Sequence, residues 1–118
     1  MKDLDTLRGF EALLVPSADL RIIYKHSTQC GMCDSAIEEV RDFEGRHPAA
    51  AAIYYLDLWA HREVSDAVAR TLGVRHESPQ VILLKDGKVQ AVLNHRAIRA
   101  EALEKALRAA ADSASQKR

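Results

Sequence analysis

Two cysteines stand close together in Cys30-Gly31-Met32-Cys33, and they are the only cysteines in 118 residues. At this spacing two thiols can trade between a dithiol and a disulfide, or can form half of a tetrahedral metal site. A metal site needs two further ligands. There is no second cysteine pair, and His26, His47, His61, His76 and His95 are scattered without zinc-type spacing. The pattern points to redox chemistry. A metal or cluster site and a pair of inert thiols are the alternatives.

Whether a thiol reacts depends on the elements around it. Leu20-Arg21-Ile22-Ile23-Tyr24 is short, apolar and β-branched, and reads as a strand. After the pair, Cys33, Ala36, Ile37, Val40 and Phe43 share one helical face, with Asp34, Glu38, Glu39 and Asp42 on the others. Gly45 and Pro48 are expected to stop this helix. Cys30 then lies between strand and helix, where exposed N–H groups and the positive dipole end favour a thiolate. Cysteines in such places fall from a pKa of about 8.5 to about 3.5–7.5. Cys33 lies one turn further, at the head of the apolar stripe, and is expected to be the more buried sulfur. Cys30 would therefore attack a disulfide and Cys33 would resolve the product. Gly31 lets the backbone tighten between them. Asp34 opposes a second thiolate by like charge. Lys25 and His26 stand just upstream, as possible sources of cationic support.

The remaining chain supplies a frame. Asp5 is expected to cap a helix over 5–14 that Pro16 ends. Ile53–Leu58 reads as a second strand, and Val64, Ala67, Val68 and Leu72 as a helical stripe closed by Gly73. Gln80–Leu84 is a nearly continuous apolar strand. Lys85-Asp86-Gly87-Lys88 suits a type I′ hairpin into a return strand over 89–93. Leu103, Ala106, Leu107 and Ala110 line a last helix, and 111–118 is expected to be a flexible, solvated tail to a domain spanning 1–110. A crossover half followed by a hairpin half gives an α/β fold, with a central mixed β-sheet and helices on both faces. Trp59, just after the second strand, is expected to pack rather than to stack on substrate.

Apolar residues make up 47% of the chain and aromatics 5%, so the core must be aliphatic. Seventeen basic residues balance seventeen acidic ones, which argues against nucleic acid as a partner. No apolar run approaches the ~18 residues of a membrane span. No secretory signal is visible at Met1-Lys2-Asp3-Leu4-Asp5, so a cytoplasmic location is expected.

A second feature is Glu77-Ser78-Pro79-Gln80, directly before the apolar strand. A proline there can simply open the strand. Beside a C-x-x-C motif, a cis Ser78-Pro79 bond facing the sulfurs is expected, presenting the Ser78 backbone to substrate in strand-like fashion.

The order of strand, C-x-x-C, helix, Pro-strand, hairpin and helix resembles the thioredoxin fold. More narrowly, Lys25-His26-Ser27-Thr28-x-Cys30, Arg62-Glu63-Val64-Ser65 and Gly73-Val74-Arg75-His76-Glu77-Ser78-Pro79-Gln80-Val81 resemble the bacilliredoxin family of the monothiol type. With Leu84-Lys85-Asp86-Gly87-Lys88 the resemblance runs from about residue 4 to 107. It implies a thiol–disulfide oxidoreductase that removes bacillithiol from mixed disulfides on cytosolic proteins, with Cys30 as nucleophile. That family usually has Ser or Ala in place of Cys33 and Pro-Ile in place of Gly31-Met32, so this chain looks like a dithiol version. Thioredoxins carry a buried Asp six residues before the first cysteine, where this chain has Tyr24.

Cys30 and Cys33 are thus the expected catalytic pair. Ser78, Pro79, Gly31 and Met32 are expected to meet substrate, and Arg75 and His76 to bind an anionic thiol. No bound cofactor or metal is expected, and the low-molecular-weight thiol would be a co-substrate. The partners would be protein mixed disulfides and a thiol or reductase electron donor, met by a monomer away from membranes. The competing expectations are a general thioredoxin-like reductase and a non-enzymatic iron–sulfur or metal adaptor.

Overall fold

The computed structural model describes residues 1–116. Its elements are β1 (Lys2–Asp3), α1 (Leu7–Ala12), β2 (Leu20–His26), α2 (Gly31–Arg46), β3 (Ala52–Asp57), α3 (Arg62–Leu72), β4 (Gln80–Lys85), β5 (Lys88–Asn94), a short 3-10 turn (His95–Ala97) and α4 (Ala100–Gln116). The strands form one mixed sheet in the order β1-β3-β2-β4-β5. β1, β3 and β2 run parallel, while β4 is antiparallel to both β2 and β5.

Side-chain alternation along the strands builds two cores. Ile22, Tyr24, Val81 and Leu83 pack with Val40 and Phe43 of α2 and Leu103 of α4. Ile23, Leu56, Ile82 and Leu84 pack on the other face with Phe10 of α1 and Val64 and Val68 of α3. β2 and β4 are paired on both sides and covered on both faces, which explains their near-continuous apolar runs. The hairpin turn has positive φ at Asp86 (54°) and Gly87 (71°), as a type I′ turn requires. Gly73 takes the left-handed conformation (φ 64°) that closes α3.

Several boundaries differ from those read in the sequence. α1 is capped by Thr6 rather than Asp5, because the Gly9 N–H donates to Thr6 Oγ1 at 2.9 Å. The chain is still held to the sheet at Leu4, whose N–H donates to the Tyr55 carbonyl at 2.8 Å. α2 passes through Gly45 to Arg46, where the Arg46 guanidinium pairs with Asp42 and Glu104 and supports the last turn. β1 has no apolar pattern; it is placed by main-chain pairing with Tyr54 and Tyr55, with the Lys2 ammonium over the Tyr54 ring at 5.9 Å. α4 continues to Gln116, so the backbone expected to be tail from residue 111 is helical to that point. Its Ala- and Ser-rich sequence holds no proline or glycine to end the helix. Only residues 117–118 of that tail lie outside the described residues.

Candidate active site

β2 ends at His26, and the chain reverses into α2 through Ser27–Gln29. Cys30 is the N-cap of α2, in extended conformation, with its N–H donating to the Ser27 carbonyl at 3.3 Å. The Cys33 N–H donates to the Cys30 carbonyl at 3.0 Å, closing the first turn around the pair. Cys30 is partly exposed, whereas Cys33 is 0% exposed. Accessibility thus separates the two sulfurs, as the position of Cys33 on the apolar stripe implies.

The Cys33 thiol is polar-satisfied despite its burial. The Ser27 N–H lies 3.4 Å from Cys33 Sγ, and Ser78 Oγ lies 3.6 Å from it. Burial pushes this thiol above the ordinary cysteine range. The Ser27 and Ser78 hydrogen bonds pull it back, and the neighbouring Cys30 pushes it up again by charge and by hydrogen bonding. Gly31 and Met32 are both exposed. A Cβ at Gly31 would meet nothing within 4 Å, so the glycine is not demanded by a tight backbone. It leaves open surface beside Cys30.

The Ser78–Pro79 peptide is cis and brings Ser78 to the buried sulfur. The loop is anchored from two sides. His95 N–H donates to the Pro79 carbonyl at 3.0 Å. Gln80 Nε2 donates to the Arg75 carbonyl and to Asn94 Oδ1, both at 2.9 Å. Arg75 extends into solvent and pairs with Glu77, and His76 Nδ1 lies 3.1 Å from Lys25 Nζ. Both residues are thus engaged by the loop's own surroundings.

Lys25 and His26 point to opposite faces of β2. Lys25 is 0% exposed, and its ammonium donates to the Ser65 carbonyl of α3 at 3.1 Å. Burial brings it down to about 8. This charge faces α3, on the side of the sheet away from α2, and it steadies the Arg75–Pro79 loop through His76. His26 lies on the α2 face, with Nδ1 2.8 Å from the Tyr24 hydroxyl. Burial lowers the His26 pKa, so at neutral pH it is an uncharged imidazole. Tyr24 also donates to the Cys33 carbonyl at 3.4 Å. Burial, and then the charge of Cys33, push its hydroxyl far above the ordinary tyrosine range. Neither upstream base therefore supplies a positive charge to the sulfurs.

Trp59 does more than pack. It is 50% exposed, and its indole N–H donates to Ser27 Oγ at 2.6 Å. The same oxygen accepts the Gln29 N–H at 3.2 Å. The Arg62 guanidinium covers the ring at 5.0 Å. Trp59 thereby fixes the loop whose Ser27 N–H reaches Cys33. Parallel pairing of His26 with Asp57 is what places the residues after β3 beside those after β2. The spacing of Trp59 and Ser27 gave no sign of their contact, which only the pairing of β2 with β3 brings about, and the contact of Ser65 with Lys25 carried no sequence signal either.

A model of the family described as Monothiol bacilliredoxin BrxC matches residues 2–103. Among solved structures, one assigned to an oxidoreductase with a thioredoxin fold superposes with a TM-score of 0.81 and 26% identity, covering 89% of this chain and 91% of that one. Thioredoxin from Fasciola hepatica gives a TM-score of 0.71 and 21% identity, covering 92% and 98% of the two chains. Mitochondrial thioredoxin 3 from Saccharomyces cerevisiae, in its oxidized form, also gives 0.71 and 21%, covering 92% and 94%. The fold is that of thioredoxin.

Proposed function

The chain belongs to the monothiol bacilliredoxin family and is a thiol–disulfide oxidoreductase; from that premise we propose that it removes a low-molecular-weight thiol of the bacillithiol type from mixed disulfides on cytosolic proteins. The observation that carries this reading is the pairing of an accessible Cys30 with a buried Cys33, beside the Ser78 hydroxyl at 3.6 Å.

The steps follow from accessibility. The Cys30 thiolate attacks the low-molecular-weight sulfur of the mixed disulfide. A Cys30–thiol disulfide forms, and the substrate protein leaves as a thiolate. Cys33 then loses its proton and attacks Cys30 Sγ. The small thiol leaves, and a Cys30–Cys33 disulfide remains. The Ser27 N–H and Ser78 O–H stabilise the Cys33 thiolate as it forms. Two electrons from an external thiol or a reductase return the pair to its dithiol state. The Ser78 backbone offers the substrate chain a strand-like edge, and Met32 an apolar contact. The chemistry suits the reducing cytosol, and the chain acts as a monomer with no bound cofactor.

Cys33 also favours a second reading. The same pair can reduce ordinary protein disulfides as a thioredoxin does, without a small-thiol intermediate. Mass spectrometry of Cys33→Ser after incubation with a bacillithiolated or glutathionylated protein separates the two. The proposal expects the variant to accumulate carrying the small thiol on Cys30, with the first step little slowed, while Cys30→Ser carries nothing. Trapping of the substrate protein itself on Cys30 supports the second reading. Full turnover by Cys33→Ser with a free thiol as co-reductant would show that Cys33 is dispensable.

A further inference from the structure

A groove of about 330 Å³ opens between the start of α2 and the segment that leads into α4. One wall is the first turns of α2, with Met32, Ser35 and Glu39, and the other is the segment His95–Arg99. Met32, which lines the groove, lies two residues after Cys30 and is 39% exposed, so the groove starts on the same first turn of α2 that Cys30 caps. From this placement we infer that the groove is an anion subsite, in which Arg96 and Arg99 hold the carboxylates of a low-molecular-weight thiol while its sulfur is on Cys30. The inference rests on the proposed function only for the identity of that thiol.

The far wall is built rather than incidental. His95 has φ 53°, a left-handed backbone that is costly for a residue with a side chain. Two bonds hold it there: its N–H to the Pro79 carbonyl at 3.0 Å, and its Nε2 to Glu77 Oε1 at 3.0 Å. The turn is therefore tied to the cis-proline loop, which brings the subsite and the substrate-facing loop together. Glu77 also takes Arg75, so the acid nearest the turn is already engaged.

The charge in the groove is unbalanced. Arg96 makes no ion pair among the described residues. Arg99 Nε lies 3.8 Å from Glu39 Oε1, at the outer limit of an ion pair, and that oxygen already accepts the Ala100 N–H at 2.9 Å. Two guanidiniums thus face one carboxylate that is committed to capping α4. Both arginines are exposed and carry a permanent positive charge that can meet a carboxylate. Met32 offers the apolar part of the ligand a surface on the way to Cys30.

The test compares the rates at which Cys30 is thiolated by oxidised glutathione, which is anionic, and by 2-hydroxyethyl disulfide, which is neutral. Both reactions are run in the Cys33→Ser background. In each, the Cys30 thiolate takes one sulfur of the reagent and the other half leaves as thiolate. Because the reagents carry no protein, the result does not depend on what the enzyme's natural substrate is. The ratio of the two rates reads the groove, and discharge of a thiolated protein separately reads the function. Exposed ion pairs are worth about two- to fivefold each, so Arg96→Gln with Arg99→Gln should lower the ratio about five- to tenfold. Lysine at both positions should keep it within about twofold, and raising salt should lower it in the parent. An unchanged ratio in the glutamine variant, or an equal fall in the lysine variant, would overturn the inference.

Discussion

Removing the Ser78 hydroxyl should move the pH dependence of the resolving step in a defined way. Two hydrogen bonds favour the Cys33 thiolate, from the Ser27 N–H and the Ser78 hydroxyl, and burial works against both. A hydrogen bond to a charged group is worth about 1.5–3 kcal/mol at good geometry. At 3.6 Å to sulfur the Ser78 bond is a long one, so ~1 kcal/mol is the better figure. That is about fivefold in the balance of thiol and thiolate. The more basic thiolate is also a better nucleophile by about twofold, from a Brønsted slope of about 0.4–0.5. Ser78→Ala should therefore resolve the Cys30-bound thiol two- to threefold more slowly where Cys33 is mostly protonated. At high pH, where it is fully ionised, the variant should be about twofold faster. The cis-proline loop keeps its backbone contacts to His95, so substrate docking should survive the substitution. The assay is a stopped-flow pH jump. Glutathione is loaded on Cys30 in acid, where Cys33 is silent, and its release is followed after mixing to pH values between about 6 and 10. Rate profiles that cross confirm the reasoning. A uniform loss at every pH, or superimposable profiles, would refute it.

Two other perturbations test the frame around the sulfurs. Trp59→Phe removes the 2.6 Å bond to Ser27 Oγ but little buried surface, so it should cost only about 0.5–1.5 kcal/mol in thermal or urea unfolding. It should also expose Cys33, seen as faster iodoacetamide labelling of Cys33 in the Cys30→Ser background; unchanged labelling would show that Trp59 does not hold the loop. His26 is 6% exposed and its pKa is lowered by burial, so the folded state resists its protonation. The unfolded chain binds that proton as pH falls through the ordinary histidine value of 6.5, and stability present at pH 7 is lost below it. Between pH 7 and 5.5 this is worth at most about 1 kcal/mol. Urea midpoints should fall over that range in the parent and fall less in His26→Gln; an equal fall in both would locate the loss elsewhere.

Near-continuous apolar runs were enough to show β2 and β4, and helical spacing the buried stripe of α2, because these segments carry the core. The opposite accessibilities of Cys30 and Cys33 followed from the same stripe, since Cys33 heads it and Cys30 precedes it. What stayed hidden depends on pairing between distant segments. β1 is two polar residues held to the sheet by main-chain bonding, with no apolar pattern to mark them. Alternation says that Lys25 and His26 face opposite ways, but only the order of strands decides which of them faces α2. Trp59 reaches Ser27 because β3 runs parallel to β2 in a particular register, which local sequence does not encode. His95 is a left-handed residue without glycine, so no turn signal marks it. Its conformation is held by contacts to residues about sixteen to eighteen positions away.

Tyr24 gives these observations a common chemical sense. A buried carboxylate at that position could accept the proton that Cys33 must lose, but it would also repel the thiolate that remains. A tyrosine hydroxyl pushed far above its ordinary range does neither. It stays protonated and satisfies the Cys33 carbonyl and the His26 ring, so the floor under the pair carries no charge at neutral pH. Negative charge on Cys33 must then be met by donors alone, and the structure provides two that are independently fixed. The Ser27 N–H is held through Trp59, and the Ser78 hydroxyl through the cis-proline loop anchored at His95 and Gln80. Fixed donors need no reorganisation when the thiolate forms, so they favour it from the first moment of proton loss. Cys33 can therefore remain a quiet thiol while Cys30 reacts at the surface, and can become a nucleophile when the mixed disulfide has brought an electrophilic sulfur within one helical turn.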